Sequence, residues 1–175
     1  MVMMVMVQIS TMMTNTMTTI KLFKQPSGNT CGPACIYMAW YHLINKNNTI
    51  EFDIDMKYSI EDIATLCTTD WSVGTPPDKM ILGLDALKLK YVEYISSPHP
   101  FELLKTVIDN GNIPLLRTFT QGIPHWIIVD GYDENFYSVK DPWLGEIKYN
   151  KEDLDYVWRG RDYQFFEVTG LEDVH

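Results

Sequence analysis

The stretch Gln25-Pro26-Ser27-Gly28-Asn29-Thr30-Cys31-Gly32-Pro33-Ala34-Cys35-Ile36-Tyr37-Met38-Ala39-Trp40 decides how this chain reads. Cys31 stands at the head of an apolar run, with Pro33 where the first turn of a helix tolerates proline. Ala34, Cys35, Met38 and Leu43 form an apolar stripe at helical spacing, which predicts a helix from Cys31 to about Asn45. A sulfur in the first turn faces the positive end of the helix dipole, which favours negative charge on it. Gln25, six positions upstream, can reach back with its side-chain amide. A thiolate beside a fixed amide donor is half of an acyl-transfer site.

The other half is expected about ninety residues on, in the run from His125 to Trp143. His125 to Tyr132 is apolar and β-branched, Phe136 to Asp141 alternates, and the turn signals lie between Gly131 and Asn135. A hairpin centred on Asp133 sets His125 directly opposite Asp141, where a carboxylate can orient an imidazole. Pro142 ends the second strand. Asp130 is the rival carboxylate, but it lies an odd number of residues from His125 and should face the other side.

Outward from these two segments, the first half reads as helices. Ser59 with Asp62 reads as a capping box opening a helix that closes near Cys67. Pro77 to Lys90 is a third helix, and Pro100 to Asn110 a fourth, closed by Gly111. Trp71 to Pro77 is a loop, either padding or one wall of a groove. The second half reads as strands at 113–119, 125–132, 136–141, 146–149 and 163–168, with a helix over Lys151–Trp158 capped by Asn150. Helices followed by antiparallel strands imply an α+β fold, with the thiol on a lead helix packed against a sheet that carries the base.

The 175 residues suffice for one domain, expected over 21–170. Met1 to Ile20 holds seven of the ten methionines and no charge, and reads as a flexible N-terminal tail. Met17 would then be a sensible start, and Thr18 to Phe23 a first strand or an extended lead-in. A hydrophobic content of 46% excludes a disordered chain. The net charge of −9 argues against nucleic acid as a partner. No apolar run is long enough for a membrane span. Three cysteines do not make a disulfide framework. Unpaired thiols and the lack of a signal peptide lead us to expect a cytoplasmic location. A zinc site built from Cys31, Cys35 and His42 lacks a paired C-x-x-C, and no cofactor is expected.

Taken together, Gln25, Cys31-Gly32-Pro33-Ala34, His125 and Asp141-Pro142 resemble a papain-like cysteine peptidase. More narrowly, they resemble the leader-peptidase domains of bacteriocin transporters and their stand-alone relatives, over about Phe23 to Val168. The resemblance implies a papain-like fold with Cys31 as nucleophile, His125 as general base and Asp141 as its orienting carboxylate. Gln25 and the Cys31 N–H would form the oxyanion hole. The expected partner is a peptide or protein substrate. Thr30 stands where the family usually has an acidic residue, and a fused exporter like that of the transporter proteins is not expected. An acyl or amide transferase on the same site, and a binding module without chemistry, are the alternative readings.

Overall fold

The computed structural model describes residues 18–47 and 57–173; residues 1–17, which hold most of the expected tail, lie outside them. The lead helix α1 spans Cys31–Asn47. Helix α2, Ile60–Leu66, opens on the capping box the sequence announces. The Ser59 hydroxyl accepts from the Asp62 N–H, and the Asp62 carboxylate accepts from the Ser59 N–H. Helix α3 is Pro77–Ala86 and α4 is Pro100–Asp109, each with proline in its first turn. Gly111, just past α4, has φ +74°, the left-handed conformation that ends helices and suits glycine.

One element differs from the sequence expectation. The third helix does not continue to Lys90. It stops at Ala86, Lys88 turns the chain at φ +58°, and Leu89–Tyr94 form strand β1. Leu84, Leu87 and Leu89 are all buried. The first two follow helical spacing and the last two strand spacing, so the local pattern fits both periods.

The remaining strands are β2 (Ile113–Thr120), β3 (Ile123–Tyr132), β4 (Tyr137–Asp141), β5 (Gly145–Tyr149) and β6 (Phe165–Leu171); helix α5 (Lys151–Arg159) lies between the last two. They build one antiparallel sheet in the order β1-β6-β2-β3-β4-β5. Its central strands are covered on both faces, which explains their nearly continuous apolar runs. Leu115, Trp126, Ile128 and Phe166 pack with Ile36, Met38 and Leu84 from α1 and α3. Their neighbours Leu116, Ile127, Val129 and Phe165 pack the opposite way, with Leu104, Ile108 and Trp158 from α4 and α5. The protein is thus an α+β structure with helices on both sides of the sheet.

The hairpin register also differs from the simple expectation. Next to the turn, Tyr132 pairs with Tyr137 and Gly131 with Ser138; beyond it, Val129 pairs with Val139 and Ile128 with Lys140. Asp130 is the extra residue of a β-bulge. Continuing the register sets Asp141 opposite Ile127, so His125 and Asp141 are diagonal neighbours on one face rather than directly opposed. Without the bulge, Asp141 would oppose Ile128, three positions from His125, and the two side chains would leave opposite faces of the hairpin.

Candidate active site

Three segments converge on the start of α1. The first is the extended lead-in ahead of it. Thr18 N–H donates to the Asp130 carbonyl, and Ile20 N–H donates to its carboxylate at 3.3 Å. Ile20 itself is buried. Further on, Gln25 N–H donates to the Pro142 carbonyl at 2.9 Å, and Lys24 Nζ to the Trp143 carbonyl at 2.7 Å. The segment before Cys31 is thereby tied to the end of β4, immediately past Asp141.

A tight turn follows. The Thr30 hydroxyl donates to the Ser27 carbonyl at 3.0 Å, and the Gln25 amide nitrogen donates to the same carbonyl at 2.7 Å. Ala34 N–H closes the first helical bond onto the Thr30 carbonyl. The backbone N–H groups of Cys31 and Gly32 precede that bond and have no acceptor within the helix. They point where the helix dipole is positive. Gly32 is required by packing. A Cβ there would lie 2.7 Å from Met80 Sδ, 3.1 Å from Thr75 Cβ and 3.2 Å from Trp126 Cδ1.

The second and third segments are β3 and β4. His125 Nε2 and Asp141 Oδ1 are 2.8 Å apart, and both residues are buried. The same carboxylate oxygen accepts from the N–H groups of Trp143 (2.8 Å) and Leu144 (3.0 Å), whereas Oδ2 is buried without a partner. Burial opposes charge on Asp141, but the bond from His125 and the two N–H donors outweigh it and hold the carboxyl below its usual range. The Cys31 side chain is close enough to act on the imidazole as well. Burial would lower the imidazole pKa; the bonds and charges of Asp141 and Cys31 reverse this and raise it to about 9. The arrangement favours the imidazolium form of His125 beside the Asp141 carboxylate. The Trp143 ring meets the imidazole edge-on, centroids 6.1 Å apart, while remaining 45% exposed, so it shields the ring from one side.

Of the residues singled out in the sequence, His125 and Asp141 are hydrogen-bonded to each other, and Cys31 is close enough to act on the imidazole. The Gln25 amide is held on the Ser27 carbonyl that Thr30 also uses, and its Oε1 is buried without a partner. Asp130 does not join them. Its carboxylate instead holds Ile20 N–H and lies 3.5 Å from Lys140 Nζ, and burial raises its pKa against the pull of that lysine. Cys35, one turn after Cys31, is wholly buried, and burial followed by the nearby Cys31 and Asp141 charges pushes its thiol well above the usual range. Among the described residues, no three His, Cys, Asp or Glu side chains converge in a geometry that would hold a metal ion.

Cys31 opens into a cleft of about 260 Å³. Residues 72–76 form one wall, so the loop from Trp71 to Pro77 is more than padding. It is fastened to the sheet by Trp126 Nε1, which donates to the Thr75 carbonyl at 2.8 Å, and to the α1 side by Asn29 Nδ2, which donates to the Trp71 carbonyl. Gly74, at φ +88°, makes the turn that presents this wall. Arg117, from β2, completes the opposite side. Nothing in its local sequence marks it; its place follows from pairing with Trp126 across β2 and β3.

A model of the Peptidase_C39 like family matches residues 17–165. Solved structures share the fold. The peptidase domain of Streptococcus ComA, a bifunctional ABC transporter of a quorum-sensing pathway, superposes with a TM-score of 0.66 at 18% identity, over 87% of this chain and 99% of that one. A double-glycine motif protease from an AMS/PCAT transporter, solved with its leader peptide, gives 0.64 at 16% identity, over 87% and 94%. A C39-like peptidase from Bacillus anthracis gives 0.64 at 12% identity, over 88% and 96%. No sequence among the curated proteins matches this chain. No helix of the described residues is long and apolar enough to cross a membrane.

Proposed function

The chain belongs to the Peptidase_C39-like family of cysteine peptidases, and from that premise we propose that it cleaves a peptide or isopeptide bond through a Cys31 thioester. The observation that carries the proposal is the chain of contacts from Asp141 through His125 to Cys31 at the N-terminus of α1. In the first step the Cys31 sulfur, its proton held on His125, attacks the carbonyl carbon of the substrate. The carbonyl oxygen becomes an oxyanion beside the Cys31 N–H and the Gln25 amide. Collapse of this intermediate breaks the C–N bond, and the imidazolium gives its proton to the departing amine. A thioester remains. Water then attacks it with His125 as base, releasing a carboxylic acid and restoring the Cys31–His125 pair. Asp141 holds the imidazole in the orientation both steps need.

The testing experiment measures the rate of Cys31 alkylation by iodoacetamide against pH, with intact mass, on the native protein and on His125→Ala. Fast reaction at neutral pH that slows in the variant is expected. Alkylation no faster than that of an ordinary thiol with a pKa of about 8.5 would overturn the proposal. Turnover of peptides in the presence of added amines then reads whether water or an amine accepts the acyl group.

A further inference from the structure

Arg117 is the single charged side chain among those that line the cleft. Its guanidinium is fixed from behind. Nη1 donates to Gln164 Oε1 at 3.0 Å, and Gln164 Nε2 donates to Glu93 Oε1 at 2.7 Å, so the nearest bonded carboxylate is one residue removed. A second guanidinium, Arg161, lies close enough to act on Arg117 and stacks on Phe119 at 4.8 Å; its Nε is buried without an acceptor. Asp78, in the first turn of α3, acts on Arg117 in the opposite sense and more weakly than Arg161. Among the described residues neither guanidinium forms an ion pair. This is unusual in a chain with 23 acidic residues against 14 basic ones. Two adjacent partly desolvated cations with open donors form a site for an anion, and the planar fork of Arg117 suits a carboxylate.

We propose that the Cys31 cleft selects substrates that place a carboxylate against Arg117, an acidic side chain of the peptide beside the scissile bond. The inference rests on the peptidase reading and adds the substrate class. Because Nη1 is already held by Gln164, recognition uses the remaining N–H donors and needs no rearrangement of the side chain. Arg161 adds positive potential without lining the cleft.

Recognition is separable from chemistry. Binding of N-acetylated, C-amidated pentapeptides carrying Glu, Gln or Lys at successive positions is measured by calorimetry on the full chain with Cys31→Ala. The best Glu peptide should bind about tenfold or more tighter than its Gln counterpart, the scale of a charge-assisted hydrogen bond. The preference should weaken with salt, vanish on adding Arg117→Gln, and persist in part with Arg117→Lys, which keeps the charge and loses the fork. A Gln peptide with a free C-terminal carboxylate is the second arm. If it alone gains affinity, the carboxylate read is a chain terminus and the side-chain assignment is overturned. Equal behaviour of Glu and Gln peptides at every position, including no binding by either, overturns it too, as does a preference that survives both Arg117 variants. Slow alkylation of Cys31 by iodoacetamide would instead remove the peptidase reading and leave the calorimetric result standing.

Discussion

Replacing Asp141 by asparagine separates the charge of the carboxylate bonded to His125 from its geometry. All three donors at this residue, His125 Nε2, Trp143 N and Leu144 N, converge on Oδ1, at 2.8, 2.8 and 3.0 Å. Oδ2 has no partner. An asparagine can therefore keep its carbonyl oxygen at the Oδ1 position with every bond made there, losing the charge and placing its NH2 where Oδ2 had no partner. A hydrogen bond involving a charged group contributes about 1.5–3 kcal/mol and a neutral one about 0.5–1.5 kcal/mol. The difference, about 1–1.5 kcal/mol, corresponds to about 5–12-fold in kcat/KM. Asp141→Ala removes the acceptor itself and should cost the larger quantity, about 10–150-fold or more. The imidazole pKa should fall in both variants from about 9 toward its ordinary 6.5, because the bond and charge from Asp141 are among the causes that raise it. In the proposed mechanism the departing amine takes its proton from the imidazolium. Activity is thus retained below the imidazole pKa and lost as pH rises through it, and the alkaline limb should move from near 9 in the native protein to lower pH in Asp141→Asn. The assay is the pH profile of peptide hydrolysis, with imidazole protons followed by NMR. Equal losses in the Asn and Ala variants, or an alkaline limb that stays in place, would refute this division between charge and geometry.

Two further substitutions test how the site is held. Gly32→Ala should destabilise the protein by about 1–3 kcal/mol despite the better helix propensity of alanine, because the added Cβ meets Thr75 and Trp126, which are bonded to each other; a denaturation midpoint equal to that of the native protein would count against this packing. Asp130→Asn should cost about 1–3 kcal/mol by leaving Lys140 with only its exposed partner Glu146, and should loosen the Thr18–Ile20 segment. Faster tryptic cleavage after Lys21 or Lys24 is the expected readout, and unchanged cleavage would detach Asp130 from that segment.

Local chemistry explains what could be read from the sequence. The start of α1 is written in adjacent residues, a proline in the first turn and an apolar stripe behind it, and α2 in the reciprocal Ser59–Asp62 bonds. Where two patterns overlap, reading fails. Leu84, Leu87 and Leu89 satisfy helical and strand spacing in succession, and only the left-handed Lys88 and pairing with β6 decide between them. Arg117 was silent for a related reason: a charged residue within an apolar strand acquires meaning only when the sheet sets it opposite Trp126 at the cleft.

The hairpin shows how a correct pairing can follow from an incorrect register. Residue type and spacing bring His125 and Asp141 together, but a symmetric turn at Asp133 is two positions away from the observed ladder. The turn alone would have separated them, since continuing the Tyr132–Tyr137 pairing assigns Asp141 to the wrong face. The bulge at Asp130 supplies the single extra residue that restores the phase. Its position also decides the contest between the two carboxylates. As the bulged residue, Asp130 offers both its carbonyl and its carboxylate to the lead-in, at Thr18 and Ile20. That lead-in runs on to Gln25, whose N–H is held by the carbonyl next to Asp141. One irregularity therefore serves both halves of the site: it places Asp141 on the face of His125, and it anchors the strand of chain that brings Gln25 to the start of α1.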